Sequence, residues 1–128
     1  MNRVVLDASA VLALLNNEPG SGILTPALLS NAICSTVNLA EVQSKLVSEG
    51  GAPDEAWEDA LSPIREAAPF TSDHARIAGS LVSQTRALGL SLGDRACLAL
   101  GLVLKAPVYT ADKSWKNLHI GVKIHLIR

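Results

Sequence analysis

The segment RVVLDASAVLALLNNEPG, residues 3–20, sets a short aliphatic run directly before a helix-forming stretch, with a single acid, Asp7, at the joint. A strand made of consecutive apolar residues belongs in a sheet covered on both faces, as parallel sheets are. Residues 3–7 are therefore expected as a buried strand, and residues 9–17 as a helix closed by Pro19 and Gly20. The alternation then repeats along the chain. A second helix is expected over residues 23–29, a strand over 32–36 (AICST), and a helix over 38–49 that Gly50 and Gly51 end. Pro53 opens a further helix with Asp54 and Glu55 in its first turn, where negative charge suits the helix dipole. Residues 68–70 (APF) make a short strand before Thr71 or Ser72 caps a helix running to Leu88. The run 94–105 (DRACLALGLVLK) is apolar on nearly every side, the pattern of a buried central helix. Strands over 107–110 and 122–127 complete an α/β chain with a mostly parallel sheet.

Composition narrows the function. The 128 residues suit one domain, and 48% hydrophobic content excludes a disordered chain. Aromatic residues are only 3% of the total, so the core is aliphatic and a binder that stacks successive bases on rings is disfavoured. The net charge is -1, but it is unevenly spread. Seven acids and one base lie between Glu49 and Asp73, whereas eight bases and two acids lie from Arg76 to Arg128. That asymmetry permits a nucleic-acid surface on the C-terminal half without requiring one. Cys34 and Cys97 sit in apolar runs without metal-ligand spacing and read as reduced core residues. No secretory signal or membrane span is visible, and a cytoplasmic protein is expected.

Four acids stand apart from the acidic segment. Asp7 and Asp112 fall at or just beyond strand ends, where open parallel sheets bind their ligands. Asp94 starts the buried helix, and Glu41 shares a helix face with Asn38 and Lys45. Each also has an ordinary use: Asp7 and Asp94 as helix N-caps, Asp112 in a turn, Glu41 paired with Lys45. If the four converge, their mutual repulsion must be relieved by proton uptake or by a hard divalent cation, for which carboxylates suit Mg²⁺ or Mn²⁺. Such an ion polarises a phosphodiester and generates hydroxide.

The strings VVLDASAVLALLNNEPG, TVNLAEV, LSLGDRACLAL and VYTADKSW, in this order, resemble the PIN-domain family, and within it the VapC-type toxins of bacterial type II toxin–antitoxin pairs. The likeness runs from Arg3 to Arg128. It implies a three-layer α/β/α domain with a small central sheet over residues 1–128, acting as a metal-dependent endoribonuclease on single-stranded regions of structured RNA such as tRNA or rRNA loops. By position, Asp7, Glu41, Asp94 and Asp112 match the family's acidic metal-binding set, with Ser9, Asn38 and Thr110 as supporting positions. In this reading Asp7, Asp94 and Asp112 hold Mg²⁺, for which Mn²⁺ can substitute. Glu41 orients or deprotonates water, or is a further ligand. Hydrolysis would leave a 5′-phosphate, since His74, His119 and His125 are scattered singly. Arg86, Arg95, Lys113 and Lys116 are candidates for RNA contact, each equally at home on a solvated face. The resemblance further implies a cognate antitoxin and a homodimer. Two alternatives stand beside it: a catalytically inactive PIN-like interaction domain, and a receiver-like phosphoacceptor domain, which would want paired acids after the first strand.

Overall fold

The computed structural model describes residues 2–128. Five strands form one sheet: β1 Val4–Leu6, β2 Ala32–Ser35, β3 Glu66–Ala68, β4 Val108–Thr110 and β5 Ile124–Leu126. All pairings are parallel, in the order β3-β2-β1-β4-β5. The expected mostly parallel sheet is thus parallel throughout. A receiver domain has the order 2-1-3-4-5. Here β1 lies between β2 and β4, which removes the receiver-like alternative.

Among the described residues seven α-helices connect and cover the strands: α1 Ala8–Leu15, α2 Pro26–Leu29, α3 Thr36–Ser48, α4 Pro53–Leu61, α5 Ser72–Ser80, α6 Val82–Thr85 and α7 Leu92–Leu104. The pleat divides the apolar strand residues between two cores. Val4, Leu6, Ala32 and Cys34 pack with Ala10 and Val11 of α1, Leu39 and Val42 of α3 and Ala60 of α4. Val5, Ile33 and Val108 pack on the opposite face with Cys97, Leu98 and Leu100 of α7 and with Trp115. The result is a three-layer α/β/α architecture. Both cysteines are free and buried.

Several boundaries moved for identifiable reasons. The helix expected over 23–29 is a 3₁₀ turn, Ser21–Ile23, followed by α2. Pro26 lacks an N–H to continue the preceding turn and instead takes the first helical position behind a Thr25 cap. The strand expected at 68–70 lies at Glu66–Ala68, ending before Pro69. The helix expected to run to Leu88 stops at Ser80, resumes as α6, and finishes in a 3₁₀ turn, Arg86–Leu88, at Gly89. Within this broken stretch Thr85 Oγ1 donates to the carbonyl of Leu81 at 2.9 Å, a back-bond of the kind that bends helices.

Gly101 sets how closely α7 approaches the sheet. A Cβ there would lie 2.6 Å from Val108 Cγ2 and 3.0 Å from Val122 Cγ2. Gly101→Ala is expected to destabilise the protein by about 1–3 kcal/mol through overpacking, read as a lower urea midpoint with an unchanged m-value.

Candidate active site

In the order β3-β2-β1-β4-β5 the chain reverses direction across the sheet between β1 and β4, which makes the carboxyl ends of these two strands the topological switch point. Asp7 directly follows β1 there and is buried, at 4% exposure. It is also the N-cap of α1: its Oδ1 accepts from the Ala10 amide at 2.8 Å and from Ser9 Oγ at 2.7 Å. Its Oδ2 accepts from Thr110 Oγ1, at the end of β4, at 2.6 Å.

The two hydroxyls tie Asp7 to the segment that carries Asp112. Ser9 Oγ accepts from the Ala111 amide at 2.9 Å, and Thr110 Oγ1 accepts from the Asp112 amide at 3.0 Å. Each hydroxyl therefore donates to Asp7 while receiving a backbone N–H from the next loop. Asp112 caps the following 3₁₀ turn, Lys113–Asn117, by accepting from the Ser114 amide at 2.9 Å. Trp115, fully buried, anchors that turn in the core.

The other two acids come from α3 and α7. Asn38 is buried on the first turns of α3, and its Nδ2 donates to Glu41 Oε1 at 2.8 Å and to the Gly93 carbonyl at 3.0 Å. These two acceptors fix the amide's orientation. Its Oδ1 is buried with no partner among the described residues. Glu41 itself is exposed and accepts from Asn38 instead of pairing with Lys45. Asp94 is not the N-cap of α7. Ser91 is, and Asp94 at the third helical position closes a capping box, accepting from the Ser91 amide at 2.9 Å.

Electrostatics link these elements. Burial raises the Asp7 carboxyl from 3.8 to about 6; hydrogen bonds from Thr110, Ser9 and Ala10 offset only part of this, and the charge of Asp94 pushes it up further. Burial likewise raises the Cys97 thiol, with the charges of Asp7, Asp94 and Glu41 adding to the effect. Three acids from three elements thus act on one buried point of α7, and the hydrogen-bond chain through Thr110 brings Asp112 to Asp7.

The other candidates are more dispersed. Arg86, Lys113 and Lys116 are exposed. Arg95 is half-buried, and its Nη1 donates to the Ala78 carbonyl at 2.9 Å, joining α7 to α5. His74 is buried, His119 is exposed, and His125 stacks on Tyr109 with ring centroids 4.6 Å apart. None of the three histidines enters the hydrogen bonds that connect the acids. Sequence reasoning missed Gly93 and Trp115. A glycine in the first turn of an apolar helix and a tryptophan three residues beyond Asp112 were the signals available.

The donor set is all oxygen, the chemistry that suits a hard divalent ion, and Asp7 is short of positive charge. Yet each carboxylate has a local partner, and among the described residues no three His, Cys, Asp or Glu side chains stand close enough to hold an ion as they are arranged. Asp94 and Asp112 each give one carboxylate oxygen to a capping amide, and among the described residues the other oxygen of each accepts no hydrogen bond.

A parallel α/β/α fold with Asp7 buried at the switch point and tied through Thr110 to the Asp112 segment defines the class. The family model of the PIN domain matches residues 4–120, and the chain belongs to the PIN-domain family. Among solved structures, VapBC from Salmonella typhimurium bound to DNA is similar over 100% of both chains at 15% identity, with a TM-score of 0.75. VapBC2 from Rickettsia felis bound to a promoter fragment is similar over 95% of this chain and 96% of the other, at 18% identity and a TM-score of 0.72. VapC20 of Mycobacterium tuberculosis, a toxin that cleaves the sarcin–ricin loop, is similar over 94% and 98%, at 18% identity and a TM-score of 0.68. No curated protein sequence matches the chain.

The raised Asp7 carboxyl has a stability consequence of definite sign. Between about pH 4 and 6 the unfolded chain has released this proton and the native chain retains it. Native stability attributable to Asp7 therefore falls as pH rises through that window and levels off above it, a loss on the order of 3 kcal/mol. Asp7→Asn removes that loss, so its stability relative to the parent is expected to increase from pH 4 to pH 7 in urea denaturation.

Proposed function

We propose that this chain is a Mg²⁺-dependent endoribonuclease of the VapC toxin type, acting on single-stranded regions of structured RNA. The observation that carries this reading is Asp7, a carboxyl group buried at the switch point, tied through Thr110 to the segment that carries Asp112 and raised by its burial to about 6. The structural likeness to VapBC complexes and to a loop-cleaving VapC supports it.

In this reading Asp7, Asp94 and Asp112 hold the ion, with Glu41 as a further ligand or as the group that positions water. The ion supplies Lewis acidity toward the phosphodiester and lowers the pKa of the attacking water. The chain's own residues supply placement. Thr110 and Ser9 keep both Asp7 oxygens fixed, and Asn38 holds one Glu41 oxygen, leaving the other free to accept a proton from water. Lys113 and Lys116, exposed beside Asp112, meet RNA phosphates. A cognate antitoxin covers the acids between episodes of activity, a second copy completes a homodimer, and the site of action is the cytoplasm. Among the described residues no helix is long and apolar enough to cross a membrane.

A non-catalytic PIN-fold interaction domain is the second reading. The observation favouring it is that no three carboxylates are arranged to ligate an ion.

Purified chain, separated from antitoxin, is expected to cleave RNA with Mg²⁺ or Mn²⁺ and to leave 5′-phosphates. Asp7→Asn abolishes cutting with the fold retained, and Glu41→Gln lowers the rate by about 10²–10⁴-fold, the usual range for a general base. Saturating Mn²⁺ raises the melting temperature of the parent chain more than that of Asp7→Asn. Cleavage that persists in EDTA overturns the metal mechanism. An inactive chain that gains no stability from Mn²⁺ selects the interaction-domain reading. Mapping RNA 5′ ends in cells after induction identifies the target.

A further inference from the structure

We propose that Gly93 is a positioning residue for Glu41, its missing side chain being the seat in which the Glu41 carboxyl group rests. The inference builds on the nuclease reading and adds a residue to it. Gly93 is buried in the first turn of α7, immediately before Asp94. A Cβ at Gly93 would lie 2.6 Å from both Glu41 Cδ and Glu41 Oε1, and the three nearest atoms it would meet all belong to that one carboxyl group.

Folding alone gives no reason for this glycine. Its φ is not positive, and an alanine in a helix is favoured over glycine. The obstacle is the tip of one flexible, exposed side chain, and moving it breaks the Asn38 hydrogen bond at a cost comparable to the helix-propensity gain of alanine. What alanine would displace is the location of the carboxylate.

Asn38 gives the same location from a second direction. Its amide donates one hydrogen to Glu41 Oε1 and the other to the Gly93 carbonyl, and it does so although its own Oδ1 remains buried and unpartnered among the described residues. The Gly93 residue thus meets Glu41 twice: its Cα hydrogen side receives the carboxyl group, and its carbonyl anchors the amide that holds one carboxyl oxygen. This latch ties Glu41 of α3 to the first turn of α7, at the residue preceding Asp94.

The test is a double-mutant cycle of Gly93→Ala with Glu41→Ala, read by cleavage kinetics with Mg²⁺ and by thermal unfolding in EDTA. A displacement of about 1 Å at a reacting group is worth roughly 100-fold in rate. Gly93→Ala is therefore expected to lower kcat by about 100-fold with KM little changed, and to have no further effect in the Glu41→Ala background. Unfolding reads the same coupling without any chemistry. Gly93→Ala raises the melting temperature by about 2–4 °C in the Glu41→Ala background, where only helix propensity acts, and does not raise it in the parent. A kcat unaffected by Gly93→Ala, an equal loss of rate in both backgrounds, or the same shift in melting temperature in both overturns the proposal. A parent chain without nuclease activity overturns the nuclease reading alone, and the melting-temperature cycle then decides whether Gly93 seats Glu41.

Discussion

The structure is organised around a charge removed from water. Asp7 sits at the end of the central strand, 4% exposed, with both oxygens held by groups from two different strand ends. Burying an ionised carboxylate is costly unless hydrogen bonds or a cation answer it. Three hydrogen bonds answer it only in part, since the carboxyl still titrates near 6. The remaining deficit is the desolvation that leaves the carboxyl above its ordinary value. It also explains why the neighbouring positions are hydroxyl-bearing: Ser9 and Thr110 each donate to the carboxylate and each accept a main-chain amide, so neither leaves a polar group unmatched.

Local and collective roles of the acids coincide. Asp7 caps α1, Asp94 closes the capping box of α7, and Asp112 caps the turn that buried Trp115 anchors. Capping sets each carboxylate at a helix start, and in a parallel sheet those starts cluster at the strands' carboxyl ends. The geometry that satisfies individual helix termini therefore places Asp7, Asp94 and Asp112 at element starts as a by-product. Glu41 is the exception. It lies inside α3 with no cap to make, and it is held instead by Asn38 and by the close approach of α7.

Much of this was legible in the chain itself. Consecutive apolar residues in β1 and β2 forecast a covered parallel sheet, and the nearly all-apolar α7 forecast a central helix. Asp7, Asp94 and Asp112 were identifiable because they interrupt apolar segments at element boundaries. What escaped detection depended on contacts between distant segments. The two-residue displacement of β3 reflects its pairing with β2. The weight of Gly93 is set by a side chain 52 positions earlier, which no local pattern encodes. The hydrogen bond that joins Arg95 of α7 to the Ala78 carbonyl of α5 is likewise set by a residue 17 positions away.

The sheet's outer strands, β3 and β5, have three residues each. Edges this short expose few free amides and carbonyls, so they offer another polypeptide little template for continuing the ladder. Growth by strand addition, the route by which open sheets run on into fibres, is closed to this architecture by the brevity of its margins.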